Sequence, residues 1–191
     1  MGAWETRRPV RHAGRPRSPL NQRRVTRTGI ALGSNIGDRG ALLAEARQRI
    51  LALNGISGPV LSSPLYETDP VDSAPDSPRF INAVIELSTT LAPPQLLHSL
   101  QTIEIDLGRP KVRPKNAPRT LDLDVLYYGS AVSQDPLLTL PHPRLHLRRF
   151  VLHPLHDIRP DLVPPGFKAS VAELLRSLDD PAGVAMSPEQ W

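Results

Sequence analysis

Residues 117–127 read APRTLDLDVLY, a proline-containing loop that runs into a predicted strand. Along residues 121–125, apolar side chains alternate with Asp122 and Asp124, so on a strand the two carboxylates project from one face and the apolar side chains from the other. Carboxylates this close disfavour each other's ionised form unless a cation lies between them. The pattern therefore fits two interpretations, a Mg²⁺ seat and an exposed strand face with two solvated aspartates.

A basic segment leads directly into this strand. Residues 109–119 read RPKVRPKNAPR and hold five basic residues, three prolines and no acidic residue. A basic loop alone is typical of a solvated turn or a nucleic-acid contact. Beside a carboxylate pair, however, cationic side chains supply countercharge for phosphates, as they do in phosphoryl-transfer sites generally. The adjacency therefore favours the Mg²⁺ interpretation of the aspartate pair.

Composition limits the possible classes of protein. The chain has 191 residues, 39% of them hydrophobic, with no apolar run long enough to span a membrane, which predicts one domain. It has no cysteine, so disulfides and thiolate metal sites are excluded. Residues 1–27 hold eight arginines and one acid, a net charge of +7. Since the whole chain has a net charge of +4, residues 28–191 have a net charge of −3.

The basic N-terminal residues 1–27 lack apolar periodicity and contain three prolines, which predicts a disordered extension. A nucleic-acid arm and an arginine-rich transit peptide are alternatives to a plain solvated extension. We expect a folded domain over residues 28–180 and a C-terminal tail over residues 181–191.

Hydrophobic periodicity predicts an alternation of strands and helices. Strands are predicted at 28–33, 60–66, 80–88 and 121–127, and helices at 39–53, 91–107, 150–158 and 170–178. The turn at residues 33–35 (GSN) lacks the signatures of a dinucleotide fingerprint or a P-loop, so we interpret it as structural. Residues 67–78 form a long acidic loop that fits either a binding lid or an ordinary surface loop.

Several polar residues leave alternatives open. Asn82 lies amid apolar residues and fits either a ligand contact or a satisfied structural amide. Gln101 and Glu104 share a helix face, which suits a ligand contact and a solvated face equally. His142 and His146 are four apart, as in helical zinc pairs, but the prolines around His142 argue against a regular helix. Phosphate or base contact is therefore favoured there over zinc.

Six segments carry a resemblance to a known family, namely ALGSNIGDR (31–39), SPLYETDPV (63–71), FINAVIEL (80–87), LLHSLQTIEIDLGR (96–109), APRTLDLDVLYYG (117–129) and LPHPRLHLRRFVLHPL (140–155). Over residues 28–165 the chain resembles the 6-hydroxymethyl-7,8-dihydropterin pyrophosphokinases of folate biosynthesis. The resemblance implies an α+β ferredoxin-like sandwich with a mainly antiparallel sheet and two long active-site loops. It also implies Mg²⁺-dependent transfer of diphosphate from ATP to the pterin hydroxymethyl group, with release of AMP.

The resemblance also implies site residues. The family's two magnesium-binding aspartates fall on Asp122 and Asp124, which form the implied catalytic set together with Arg109, Lys111 and Arg119. Its ATP contacts fall on Leu97, Gln101, Glu104, Arg109, Lys111, Arg119, Thr139, His142 and Arg148. Its pterin contacts fall on Thr68, Val71, Phe80, Asn82, Asp122 and Phe150.

Four positions depart from the pattern of familiar family members. Asn116 stands where a loop tryptophan is frequent, and Pro143 and Phe80 stand where tyrosines are frequent, so the contacts that cover the pterin are expected to differ. Lys111 stands for an arginine, which keeps the charge and loses the bidentate fork.

The expected mechanism places two Mg²⁺ ions on Asp122 and Asp124, where they orient the triphosphate while the hydroxymethyl oxygen attacks the β-phosphorus. Asp122 is the candidate proton acceptor. We expect the loops at 67–79 and 108–119 to close once nucleotide is bound. The enzyme is expected to be a cytoplasmic monomer that binds no membrane.

Two other classes remain as alternatives. An RNA-binding α+β module would use the basic extension, but the acidic body and only eight aromatic residues argue against it, so nucleic-acid binding is expected to be weak at most. A metal-dependent phosphohydrolase or nuclease could use the same two aspartates.

Overall fold

The computed structural model of the chain describes residues 24–71, 77–110 and 119–191. The predicted disorder of the N-terminal extension therefore falls almost wholly outside the described residues, as do the predictions for Lys111 and Asn116. Within the described parts of the chain, no helix is long and apolar enough to cross a membrane.

The described residues form eight strands and four α-helices. The strands are β1 (Thr26–Ser34), β2 (Ile56–Ser62), β3 (Tyr66–Thr68), β4 (Phe80–Thr89), β5 (Asp122–Tyr128), β6 (Ser133–Asp135), β7 (Leu138–Leu140) and β8 (Val184–Met186). The α-helices are α1 (Arg39–Leu51), α2 (Pro93–Asp106), α3 (Arg149–Ile158) and α4 (Val171–Ser177), and a short 3₁₀ helix spans Leu145–Leu147. Asp38 caps α1 by accepting a hydrogen bond from the backbone N–H of Ala41 (3.1 Å).

The main sheet is antiparallel and has the strand order β5-β1-β4-β3-β8, with β2 also pairing with β4. β4 is long enough to pair with β1 along its whole length and with β2 and β3 on its other side. β5 lies at the edge, where Asp122 pairs with Gly33 and Asp124 with Ala31. β6 and β7 form a separate hairpin.

Two apolar cores lie on opposite faces of the sheet. On one face, α1 and α2 pack through residues such as Leu43 and Leu100 against Ile30, Leu32 and other strand residues. On the other face, α3 and α4 cover Val84 and Leu126 with their own core residues Leu152, Leu155 and Val171. Because the hydrophobic effect holds both helix pairs on the sheet, the result is the predicted α+β ferredoxin-like sandwich, and that prediction is confirmed.

Two sequence predictions about strands need correction. The strand predicted at 60–66 is two strands that pair with different parts of β4. The strand is interrupted at residues 63–65, because Pro64 has no N–H to donate to a neighbouring strand. The predicted tail from residue 181 contains β8, which pairs with the outer edge of β3. An edge left open would expose unpaired backbone groups, so even this three-residue strand has a physical reason to form.

Candidate active site

A cavity of about 250 Å³ opens where β1 ends and β4 and β5 begin. It lies on the face of the sheet that carries the even-numbered residues of β5, away from α1 and α2. Among the predicted site residues it is lined by Thr68, Val71, Phe80, Asn82, Arg109, Arg119, Asp122, Asp124, His142, Arg148 and Phe150. The fold therefore brings residues from distant parts of the chain to one place.

The aspartate pair projects into this cavity as the strand alternation predicts. Leu121, Leu123 and Val125 are buried in the core, while the side chains of Asp122 and Asp124 are 22% and 40% exposed. The neighbouring strand offers only Ala31 and Gly33 on this side, so little bulk stands over the carboxylates. Both aspartates line the cavity, which is compatible with the predicted Mg²⁺ seat, and that seat stays a prediction.

Each carboxylate oxygen of Asp122 faces its own guanidinium. Arg109 Nη1 lies 3.0 Å from Oδ1, and Arg119 Nη1 lies 2.9 Å from Oδ2. The two arginines come from opposite ends of the basic segment, so this segment begins and ends at the aspartate pair. A carboxylate oxygen has two lone pairs, and each oxygen therefore retains the capacity to bind a cation while it accepts the arginine hydrogen bond.

Glu104 lies beneath Arg109 rather than on a solvated helix face. Its side chain is 7% exposed, and its carboxylate accepts hydrogen bonds from the backbone N–H of Leu123 (2.7 Å) and from the Arg109 guanidinium. Burial raises the pKa of Glu104 to about 7, although Arg109 and the Leu123 N–H oppose the shift. The solvated-face interpretation is therefore wrong for Glu104, and this carboxylate orients Arg109 toward Asp122.

The raised pKa of Glu104 predicts a pH-dependent stability. Between the unfolded value of 4.5 and the folded value of about 7, the folded state binds the extra proton, so the free energy of unfolding falls as pH rises through this range. The expected loss is about 3 kcal/mol. Urea unfolding of wild type and Glu104→Gln from pH 4.5 to 8 measures it. The variant should lose this slope, whereas an unchanged slope would exclude Glu104 as its source.

His142 contributes a neutral N–H donor to the cavity. Its Nδ1 accepts a hydrogen bond from the backbone N–H of Arg144 (3.2 Å), which leaves the ring proton on Nε2. Burial, together with Arg148 and Arg144, lowers the pKa of His142 to about 4, so the ring is uncharged at neutral pH. Its Nε2 lies 3.8 Å from Asp124 Oδ2, which is too far for a hydrogen bond.

The zinc interpretation of the histidine pair is wrong. His142 lines the cavity, whereas the His146 ring packs against Phe167 at 5.1 Å between ring centroids. Across residues 24–71, 77–110 and 119–191, no three histidine, aspartate or glutamate side chains converge as a metal site. Asp122 and Asp124 are therefore the pair of carboxylates that one strand presents to the cavity.

Arg148 also lines the cavity. Burial and the nearby Arg144 lower the pKa of its guanidinium from the usual value, and its buried Nε has no hydrogen-bond partner among the described residues. Its guanidinium lies 5.2 Å from the centroid of the Phe150 ring. A buried cationic donor without a partner is costly, so an anionic ligand here would relieve that cost.

The cavity lining also includes an amide and aromatic rings. Asn82 is buried and donates from Nδ2 to Thr68 Oγ1 (2.7 Å). A Cβ atom at Gly33 would lie 2.6 Å from Asn82 Oδ1, so only glycine allows the amide this position. Phe80 lies nearby with the Arg119 guanidinium 5.5 Å from its ring centroid. Asn82 is therefore a hydrogen-bonded structural amide that also lines the cavity, and its contact with a ligand stays a prediction.

Sequence reasoning missed the contribution of Asn35. This buried residue accepts a hydrogen bond from the Arg119 N–H at its Oδ1 (2.7 Å), and its own N–H donates to the Arg119 carbonyl (3.1 Å). Its Nδ2 also donates to the Pro78 carbonyl (3.4 Å). The structural role assigned to the turn at 33–35 thus includes holding the ends of both long loops. Asp69 and Arg144, which also line the cavity, had no assigned role.

Four residues implied as ATP contacts do not line the cavity, and one of them is Glu104, which lies buried beneath Arg109. Leu97 is half-buried and Gln101 is exposed on α2, while Thr139 on β7 donates its hydroxyl to the Asp135 carbonyl (3.1 Å). Lys111 lies outside the described residues. These contacts with ATP stay predictions from the resemblance.

Comparison with known proteins identifies the family. The family model of 7,8-dihydro-6-hydroxymethylpterin-pyrophosphokinase matches residues 29–160. The 2-amino-4-hydroxy-6-hydroxymethyldihydropteridine pyrophosphokinase of Pseudomonas aeruginosa is 45% identical over 148 residues, which cover 74% of this chain and 85% of that protein. The protein of the same name from Methylorubrum extorquens is 42% identical over 160 residues, covering 84% and 98%.

Other relatives are longer than this chain. The folic acid synthesis protein fol1 of Pneumocystis carinii is 42% identical over 151 residues, so the chain spans only 20% of that protein. A crystal structure of Plasmodium falciparum HPPK-DHPS with pteroate matches the fold at a TM-score of 0.62 and 14% identity, over 80% of this chain and 43% of that one. The family predicted from the sequence is confirmed: the chain belongs to the 7,8-dihydro-6-hydroxymethylpterin-pyrophosphokinases, the pyrophosphokinases of folate biosynthesis.

Proposed function

We propose that this cavity binds ATP and 6-hydroxymethyl-7,8-dihydropterin side by side and transfers the diphosphate from ATP to the pterin hydroxymethyl group, releasing AMP. One observation carries the proposal. The same cavity is lined by the Asp122–Asp124 pair and cationic side chains, and also by an amide and aromatic rings. The charged residues suit polyphosphate, and the amide with the rings suits a flat, hydrogen-bonding heterocycle.

The cationic residues of the cavity lining form the proposed phosphate site. Arg109, Arg119 and Arg148 line it, and His142 adds an uncharged N–H donor that can bond a phosphate oxygen. Guanidinium groups bind phosphate oxygens through parallel hydrogen bonds, which fixes the position of the chain of phosphates. Catalysis by this set is positioning and charge stabilisation rather than covalent chemistry.

Asp122 and Asp124 fit a magnesium site. They present oxygen ligands on one strand face toward the cavity, and Mg²⁺ is usually held by one or two carboxylates together with substrate phosphates. We propose that the pair holds two Mg²⁺ ions shared with ATP. When bound, Mg²⁺ supplies charge neutralisation and orients the reacting phosphate.

The pterin would lie against Asn82, Thr68, Phe80 and Phe150, with its hydroxymethyl group toward Asp122. Its hydroxyl oxygen forms the new bond to the β-phosphorus, and the bond from that phosphorus to the oxygen bridging to the α-phosphate breaks. AMP leaves with that oxygen. Asp122 is the proposed acceptor of the hydroxyl proton.

The product assay tests the proposal. Chromatography of nucleotides should show AMP and pterin diphosphate in equal amounts, and AMP only when the pterin is present. ATP consumption without pterin would instead support the phosphohydrolase or nuclease alternative. The expectations of a cytoplasmic monomer, and of weak nucleic-acid binding through residues 1–27, stay predictions of the sequence.

Asn82→Ala is expected to raise the KM for the pterin about tenfold, because one hydrogen bond to a buried polar ligand is lost. The KM for ATP should change less, since Asn82 is not among the cationic residues proposed to bind the phosphates. Steady-state kinetics with each substrate varied in turn measures both constants. The matched control is Asn54→Ala, at an exposed turn. A larger change in the KM for ATP than for the pterin would contradict the placement.

A further inference from the structure

The C-terminal segment, residues 183–191, lies along the outer edge of β3. Thr68 pairs with Val184 and Tyr66 with Met186 in the β3–β8 ladder. The segment runs antiparallel to β3 and also contacts the residues before it. Ser187 N–H donates to the Leu65 carbonyl (2.8 Å), and Trp191 Nε1 donates to the Ser63 carbonyl (3.0 Å). This segment lies beyond the residues that the family model matches.

The segment meets cavity-lining residues at Thr68, through the β3–β8 ladder, and at Asp69, which is bonded to Gly183. The Asp69 N–H donates to the Gly183 carbonyl (3.1 Å), and the Gly183 N–H donates to Asp69 Oδ2 (2.8 Å). A Cβ atom at Gly183 would lie 2.6 Å from that same carboxylate oxygen, so a side chain at position 183 would displace the Asp69 carboxylate. Asp69 itself lines the cavity, as do Thr68 and Val71 on either side of it.

The other oxygen of Asp69 is also held. Arg79 Nε lies 3.0 Å from Oδ1, and Arg79 immediately precedes Phe80. Arg39 adds a second link, because its guanidinium donates to the Arg79 carbonyl (2.8 Å) and lies 3.8 Å from the Glu189 carboxylate. The C-terminal segment is thus joined to both ends of the acidic loop, at the residues where the loop enters and leaves the cavity wall.

We propose that the C-terminal segment is a positioning element for the pterin. It acts through Gly183, which holds Asp69, and thereby positions the cavity wall at residues 68–71. The inference rests on the proposed placement of the pterin against this wall. No described residue of the segment lines the cavity, so its role is to hold the wall and not to touch substrate. The proposed phosphate site includes residues on β5 and after β7. None of the hydrogen bonds described above joins the C-terminal segment to those residues.

Gly183→Val tests the inference directly. The added side chain collides with the Asp69 carboxylate, and we expect the KM for the pterin to rise about tenfold with the KM for ATP within about twofold. The matched control is Ala182→Val, which places the same valine side chain one residue earlier and should leave both constants unchanged. Equal changes in both constants, or none in Gly183→Val, would overturn the inference.

A double-variant cycle separates positioning from a loss of folding. If Gly183 acts through Asp69, the Gly183→Val change should add nothing to the pterin KM of Asp69→Ala, because the carboxylate it collides with is gone. Thermal unfolding is followed for every variant. A purely structural segment would lower the midpoint and the active fraction, leave the pterin KM unmoved and so refute the proposal.

Asn82→Ala distinguishes failure of this inference from failure of the proposed function. If that variant raises the pterin KM and Gly183→Val does not, only the role of the C-terminal segment is wrong. If Asn82→Ala leaves the pterin KM unchanged, the pterin lies elsewhere, and both proposals are overturned.

Discussion

Asp124→Asn is expected to lower kcat/KM for pterin-dependent AMP formation on the order of a thousandfold. The amide keeps the shape of the side chain but removes the charge and one of the oxygens that would hold Mg²⁺. Asp124 is the cleaner of the two aspartates to test, because Asp122 also pairs with Arg109 and Arg119, whereas the His142 ring beside Asp124 is uncharged and 3.8 Å away. The assay is AMP release with saturating pterin across a range of Mg²⁺ concentrations.

Asp122→Asn should reduce the same rate by a similar factor, with an added structural effect. Asp122 neutralises Arg109 and Arg119, so the amide leaves two guanidinium groups facing a neutral side chain. The control for both variants is Asp161→Asn, which alters an exposed aspartate after α3 and should leave the rate unchanged. Wild-type AMP formation by both active-site variants would exclude the pair as the metal seat.

Arg109→Ala is expected to affect activity and stability together. It removes the guanidinium that binds Glu104 and Asp122 at once, and it leaves Glu104 buried without its cation. At pH 8 the free energy of unfolding should fall on the order of 3 kcal/mol, the cost of breaking one partner out of a buried pair. We also expect kcat/KM to fall about a hundredfold, because the phosphate site loses a donor. Urea unfolding and steady-state kinetics measure the two effects.

The double variant Arg109→Ala/Glu104→Gln separates these effects. Neutralising Glu104 removes the buried unpaired charge, so stability should return toward wild type while activity stays low. Arg49→Ala serves as the control, since its ion pairs with Glu45 and Asp106 are exposed and contribute little. Recovery of activity in the double variant would show that Arg109 acts only on folding.

The residues of β5 show how much of the site the sequence predicts. Strand alternation alone places Asp122 and Asp124 on one face and Leu123 on the other, because side chains of a strand alternate strictly between faces. The helices α1, α2 and α3 likewise follow from apolar spacing, with boundaries that differ from the predicted ones by a few residues at most. Local periodicity carries this information, so it is readable without the fold.

The remaining parts of the site depend on contacts between distant residues. In the sequence, Glu104 is one acid on a polar helix face. Its burial and its hydrogen bond from Leu123 depend on how α2 packs against β5. Asn35 contacts Arg119 across 84 positions, and Gly183 contacts Asp69 across 114. β8 has three residues and no strong pattern, so its pairing with β3 is set by the open sheet edge and not by its own sequence.

The central claim, that Asp122 and Asp124 are the metal seat shared with the phosphates of ATP, is tested most directly by the binding of Mn²⁺ in place of Mg²⁺. Electron paramagnetic resonance counts free Mn²⁺ during a titration of the full chain with a non-hydrolysable ATP analogue present. Wild type is expected to bind about two Mn²⁺ per chain, and Asp124→Asn to lose tight binding of at least one. Unchanged stoichiometry and affinity in both aspartate variants would contradict the claim.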